Sequence, residues 1–234
     1  MSYLKILYAI LLIVFISSCE DTKKTSKTLA KEKPETTVVK EVDTIQKETI
    51  PKLTIENAVP FLTAYGAENP ETKVKITTQH GVIIIELYKD TPIHRANFIY
   101  LVKRKVFNNS FFHRVVPNFI IQGGNSDNRI TTKKRYEIGD DYLLPAEINK
   151  RIHTYGSVSG AKEYRDNPDK QTFPFEFFIF LGPQTSTGHL NGNYTIFGNV
   201  IQGMDVVEKI ANLPTDPDED WPSQNVFITA EVLD

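Results

Sequence analysis

The chain has 234 residues, 40% of them hydrophobic and 24% charged, with a formal net charge of −2 and a single cysteine. The near-neutral balance gives no electrostatic footprint for nucleic acid, and one cysteine excludes an internal disulfide framework or a Cys-based zinc cluster. The composition is uneven: all 12 glycines follow Tyr65, and no aromatic residue falls between positions 20 and 60.

At the N-terminus Lys5 precedes an uninterrupted apolar run, Ile6 to Ile16. Eleven residues are too few for the roughly 20 of a membrane-spanning helix but suit the core of a signal peptide. Ile16-Ser17-Ser18-Cys19 resembles a bacterial lipobox. That resemblance implies a lipoprotein signal peptide over 1–18, lipid attachment at Cys19, and a bacterial cell envelope location with the membrane contacted through the N-terminal lipid alone. The alternative is an ordinary secretory leader with a chance cysteine. Two or more acyl chains give stable anchoring where one is marginal. Residues 20–50 carry seven Lys against seven Asp plus Glu, and 21 of these 31 residues are Lys, Asp, Glu or Thr. So few apolar groups cannot offset the entropy of ordering. Residues 19–54 therefore read as a charged flexible tether, spanning roughly 30 Å as a coil.

Residues 55–71 follow as a short extension whose packing the sequence does not define, with an amphipathic stretch IENAVPFLTAYG over 55–66. From Lys73 the pattern becomes β. Val74, Ile76 and Thr78 alternate with polar residues, Gln79-His80-Gly81 signals a turn, and Val82 to Tyr88 completes a hairpin. Thr91 as cap and Pro92 at the first helical position predict a helix to about Lys105. Short strands are expected at 112–115, 119–122, 146–148, 157–159, 177–181 and 195–199, a second helix at 204–212, and a final alternating strand at 226–233. Many strands with two helices predict a mainly β fold over 72–234, a closed barrel capped by helices.

The common catalytic constellations are missing. The five histidines show no His-x-x-x-His spacing and there is no HExxH motif, so no metal site is expected. Gly156-Ser157-Val158-Ser159-Gly160 has valine where a nucleophile elbow needs serine. One segment is distinctive: Phe112-His113-Arg114-Val115-Val116-Pro117-Asn118-Phe119-Ile120-Ile121-Gln122-Gly123-Gly124-Asn125 sets a lone arginine among apolar and aromatic residues. A buried guanidinium needs a partner, and on the residues alone it serves equally as a structural arginine satisfied by carbonyls.

That segment resembles the cyclophilin pattern almost residue by residue, with Asn125 in place of the acidic residue. Phe177-Phe178-Ile179, Phe197-Gly198-Asn199-Val200 and Gly203-Met204-Asp205 follow in family order, so the resemblance spans 73–234. It implies a closed eight-stranded antiparallel barrel capped by two α-helices, and cis/trans isomerisation of X-Pro bonds in proline-containing peptide segments, with no cofactor. The alternative is a proline-peptide-binding module on the same barrel with little turnover. The resemblance assigns catalysis to Arg114 and an apolar proline pocket to Phe119, Phe178 and Leu190. It places Gln122, Ala161 and Lys162 on the substrate backbone, and His113 beside them as scaffold more than chemistry. Phe119 and Phe178 also read as plain core.

The departures concern the pocket rim. Gly160 replaces a usual methionine, which is expected to loosen the wall. Glu176 replaces a neutral amide, and is expected either to favour basic residues beside proline or to pair with Arg114. His189 stands where tryptophan is frequent, predicting weak cyclosporin binding, and Tyr194 stands in for a histidine. The stretches 127–142 and 162–174 read as surface loops. The expected state is a monomer.

Overall fold

The computed structural model describes residues 51–216 and 220–233. The expected signal peptide, Cys19 and the charged stretch to residue 50 lie outside them. Helix α1 (Ala58–Glu68) leads into the hairpin β1 (Lys73–Thr78) and β2 (Gly81–Leu87), then α2 (Pro92–Lys103). Strands β3 (Ser110–Val116) and β4 (Ile120–Asn125) form a second hairpin, followed by α3 (Arg129–Ile138). After a long irregular stretch come β5 (Ser157–Gly160), β6 (Phe177–Phe180), β7 (Ile196–Gln202), α4 (Met204–Ala211) and β8 (Val226–Leu233).

The eight strands close into an antiparallel barrel in the order β1-β2-β7-β5-β6-β4-β3-β8. Closure removes the exposed edges that a sheet otherwise presents. The period of two in each strand sorts side chains into a lumen set and an outer set. Ile76, Ile83, Ile85, Phe112, Ile121, Phe177, Ile179 and Ile228 are buried in the main core. Ile120, Phe178, Phe180 and Leu190 are buried in a separate cluster, against which Val116, Phe119 and Tyr194 pack. Strand β6 (Phe177–Phe180) thus feeds both cores, which is why it is apolar at every position.

Three expectations about local structure are corrected. Residues 127–142, read as a surface loop, contain the helix α3, whose Asn128 side chain accepts from the Ile130 N–H at 2.8 Å as an N-cap. The stretch 146–148, read as a strand, forms no strand and pairs with no sheet. Its Glu147 carboxylate instead accepts from the backbone N–H groups of Ile93 (2.9 Å) and His94 (2.8 Å) at the start of α2, and contacts His94 Nδ1 at 2.6 Å. Thr91, expected as the cap, makes no side-chain cap bond. An anion from a distant segment satisfies the free N–H groups and complements the helix dipole there.

Helix α1 packs on α2. Phe61 and Tyr65 meet Tyr100 edge-on with ring centroids at 5.2 and 5.0 Å, and Leu62 is fully buried. Arg95, nearly buried, donates to the carbonyls of Gly66 (2.8 Å), Asn69 (2.7 Å) and Glu71 (3.3 Å), closing the end of α1 and the turn into β1. Before α1, the Leu53 N–H donates to Ile138 O at 2.6 Å and its side chain is fully buried.

Candidate active site

Three neighbouring strands carry the centre of the site. Arg114 on β3 is the direct cross-strand partner of Gln122 on β4, and Gln122 is that of Phe178 on β6. Adjacent strands lie about 4.8 Å apart, so guanidinium, amide and phenyl ring stand in one row on the outer face of the barrel. Pairing register alone sets that row. Just beyond it Gly124 takes a φ of +104°, and a side chain there would meet the Phe175 carbonyl oxygen at 2.1 Å, so only glycine lets β4 pass.

The row opens into a cleft of about 600 Å³. Nine of the residues singled out from the sequence line it: Arg114, Phe119, Gln122, Ala161, Lys162, Phe178, His189, Leu190 and Tyr194. Its floor is the smaller apolar cluster. Phe119 packs edge-on against Phe180 at 6.2 Å and lies beside His189 at 5.8 Å, while Phe178 meets Tyr194 edge-on at 5.6 Å. Behind the floor, the His153 ring stacks on Phe178 at 5.9 Å. Burial holds the Tyr194 hydroxyl above its ordinary pKa, so it remains a hydrogen-bond donor at neutral pH.

At the rim Lys162 Nζ lies 4.7 Å from the centroid of the Tyr194 ring. Burial and the nearby Lys170 lower the Lys162 pKa from its ordinary value. Arg114 and Lys162 are the charged residues lining the cleft, and both are cations.

His113 and Glu176 are not part of the lining. Glu176 faces an adjacent cleft of about 380 Å³ shared with Arg135, Asp140 and Asp141. It does not pair with Arg114, one of its two expected roles. Its Oε2 accepts from Gln122 Nε2 at 3.0 Å and lies 3.6 Å from His113 Nε2. Burial pushes the Glu176 carboxyl up, but His113, the Gln122 hydrogen bond and the Arg135 charge outweigh it and hold the pKa below the ordinary value. Arg114 pairs instead with Asp220, Nε to Oδ2 at 3.3 Å.

The expected loosening at Gly160 is also corrected. A Cβ on Gly160 would lie 2.1 Å from Thr172 Cγ2, so Thr172 already fills the space of the missing side chain. The stretch 162–174 supplies it: it leaves after Ala161 and returns through the Phe173 N–H, which donates to Ala161 O at 2.8 Å. On the way Tyr164 and Phe173 join the lining, two residues that sequence reasoning missed. Their signal was aromatic side chains inside a polar insert.

A closed eight-stranded barrel bearing an arginine, an amide and a phenylalanine in a row over an apolar cleft defines a class: the prolyl isomerases of the cyclophilin type. Residues 73–232 match the family described as cyclophilin type peptidyl-prolyl cis-trans isomerase/CLD, and the chain belongs to that family. It is similar to a peptidyl-prolyl cis-trans isomerase of Acinetobacter baylyi, with 37% identity covering 66% of this chain and 79% of that protein. An Arabidopsis thaliana peptidyl-prolyl cis-trans isomerase is 33% identical, covering 71% of this chain and 97% of its own. The crystal structure of a Cryptosporidium parvum cyclophilin type peptidyl-prolyl cis-trans isomerase superposes with a TM-score of 0.58 at 27% identity, covering 70% of this chain and 98% of that one. The same protein has been crystallised in the presence of the dipeptide Ala-Pro, with a TM-score of 0.58 to this chain. The protein is thus a cyclophilin-type peptidyl-prolyl cis-trans isomerase.

Proposed function

We propose that Arg114 is the catalytic donor, that the cleft over Phe119, Phe178 and Leu190 holds the proline ring, and that the enzyme works as a lipid-anchored folding helper in the bacterial cell envelope. The observation that carries the first part is the Arg114–Gln122–Phe178 row at the cleft. Rotation about a peptide bond faces a barrier of about 18–20 kcal/mol, and for X-Pro it takes tens to hundreds of seconds. No bond breaks and no proton is transferred, so tuned acids and bases are unnecessary. In the twisted transition state the amide loses resonance and the proline nitrogen regains a lone pair. A fixed cationic donor bonds that lone pair far better than it bonds the planar ground state, which is differential binding. The apolar floor holds the ring while the carbonyl side turns. That the Cryptosporidium relative was crystallised in the presence of Ala-Pro supports an X-Pro ligand.

Removing a preorganised donor costs on the order of 3 kcal/mol. In an X-Pro peptide assay Arg114→Ala is therefore expected to lower kcat/KM about 100-fold while leaving the fold intact. Activity equal to wild type would reject the catalytic assignment. Turnover absent from both proteins, with peptide still bound, would favour the binding-module reading. The anchor rests on the Ile16-Ser17-Ser18-Cys19 resemblance. Full-length protein made in a bacterial host is expected to enter the detergent phase on partitioning, and Cys19→Ala the aqueous phase; aqueous partitioning of both would end the anchoring proposal.

A further inference from the structure

After α4 the chain folds back along itself before entering β8. The Asp216 N–H donates to Trp221 O at 2.7 Å, the Ser223 N–H donates to Pro214 O at 2.8 Å, and Thr215 pairs with Pro222. This turn-back is pinned to β3 at two places. The Trp221 ring lies edge-on to Phe111 at 5.4 Å and against His113 at 5.8 Å, with its indole N–H donating to Asn225 Oδ1 at 3.1 Å. One residue earlier the Asp220 carbonyl accepts from the Val115 N–H at 2.9 Å. The two attachments bracket Arg114, which lies between His113 and Val115.

Asp220 itself has a φ of +56°, a left-handed conformation that non-glycine residues seldom take, aspartate more readily than most. Its carboxylate reaches the Arg114 Nε at 3.3 Å. The two side chains are 40% and 46% exposed, so the pair contributes little to stability. Its effect is geometric: the carboxylate sits as an ion-pair partner on the Nε side of the guanidinium, leaving the N–H groups on Nη1 and Nη2 for other acceptors. Among the described residues no other carboxylate pairs with Arg114.

We propose that Asp220 is a positioning residue, holding Arg114 by its Nε at the cleft wall so that the terminal nitrogens meet the twisted X-Pro amide. The proposal rests on the reading of Arg114 as the donor. A long side chain loses rotamer freedom when it is fixed, and one fixed before the substrate arrives avoids that loss in the transition state.

The test measures kcat and KM separately on an X-Pro peptide with the full chain, comparing wild type, Asp220→Ala, Asp220→Asn and Arg114→Ala, with thermal unfolding of each. Asp220→Ala is expected to lower kcat about tenfold, leave KM within about twofold and lower the unfolding midpoint by only about 2–4 °C, the cost of alanine at a left-handed φ. Asp220→Asn keeps the side-chain size and suits the left-handed backbone but removes the charge, and is expected to share most of the loss in kcat. A wild-type or raised kcat in Asp220→Ala, beside an inactive Arg114→Ala, overturns the positioning role alone. So does a loss carried entirely in KM, or a wild-type kcat in Asp220→Asn. Wild-type activity in Arg114→Ala overturns the underlying reading as well.

Discussion

Glu176 accepts a hydrogen bond from Gln122 Nε2 at 3.0 Å. An ionised carboxylate has no hydrogen to give, so it fixes which way the Gln122 amide points: nitrogen to Glu176, oxygen toward the cleft. Where a neutral amide stands at this position, either orientation can be satisfied. The carboxyl pKa is held below its ordinary 4.5, so the group is ionised throughout the neutral range. Its sign follows from linkage: a lowered carboxyl contributes stability above its unfolded value, and that contribution is lost as pH falls through the lower folded value. Glu176→Ala is expected to lower kcat/KM about tenfold, the loss that accompanies a missing charged hydrogen bond of about 1.5 kcal/mol. Glu176→Gln should stay within about threefold of wild type and lack the decline of activity expected of wild type as the pH falls through the lowered Glu176 pKa. The measurement is kcat/KM against pH for the three proteins. Equal profiles for wild type and Glu176→Gln would remove the carboxylate from the orientation of Gln122.

At the scale of elements, what the sequence discloses depends on whether a segment's partners are local. The hairpin β1–β2 is legible because Val74 and Ile76 alternate with lysines, and one face of that pair meets the core. The Arg114–Gln122 pair is legible through the resemblance because both lie in one unbroken segment, 112–125. Helix α3 is not legible: RITTKKRYEI buries only Thr131 and Ile138, so no apolar stripe marks it. Nor is the role of 146–148, whose one consequential contact is a carboxylate capping a helix more than 50 residues away. The packing behind Gly160 follows the same logic. The volume withheld at position 160 is returned at Thr172, and only the folded return of the insert shows that the two coincide. Packing conserves volume across the chain, not along it. For the same reason the site's pocket residues could be listed from the family pattern, while Asp220, Tyr164 and Phe173 could not.

For the molecule as a whole, the family match begins at residue 73, yet the packed structure begins earlier. Helix α1 buries Leu62 against α2, and Gly66 comes so close that a Cβ there would lie 2.8 Å from the Ala96 Cβ. Arg95 ties the junction by donating to three backbone carbonyls, at Gly66, Asn69 and Glu71. Arg95 itself is buried, and its loss removes three charge-assisted hydrogen bonds and the packing of its side chain at once. If α1 unfolds together with the barrel, Arg95→Ala should destabilise the whole protein by on the order of 3 kcal/mol. For a body of this size that lowers the unfolding midpoint by about 6–12 °C. None of these groups lines the cleft, so X-Pro turnover at 15 °C should match wild type within about twofold, whereas melting monitored by Trp221 fluorescence should shift as a single transition. An unchanged midpoint, or a separate early transition that leaves Trp221 unaffected, would show that α1 is an appendage to the barrel and not part of its cooperative core.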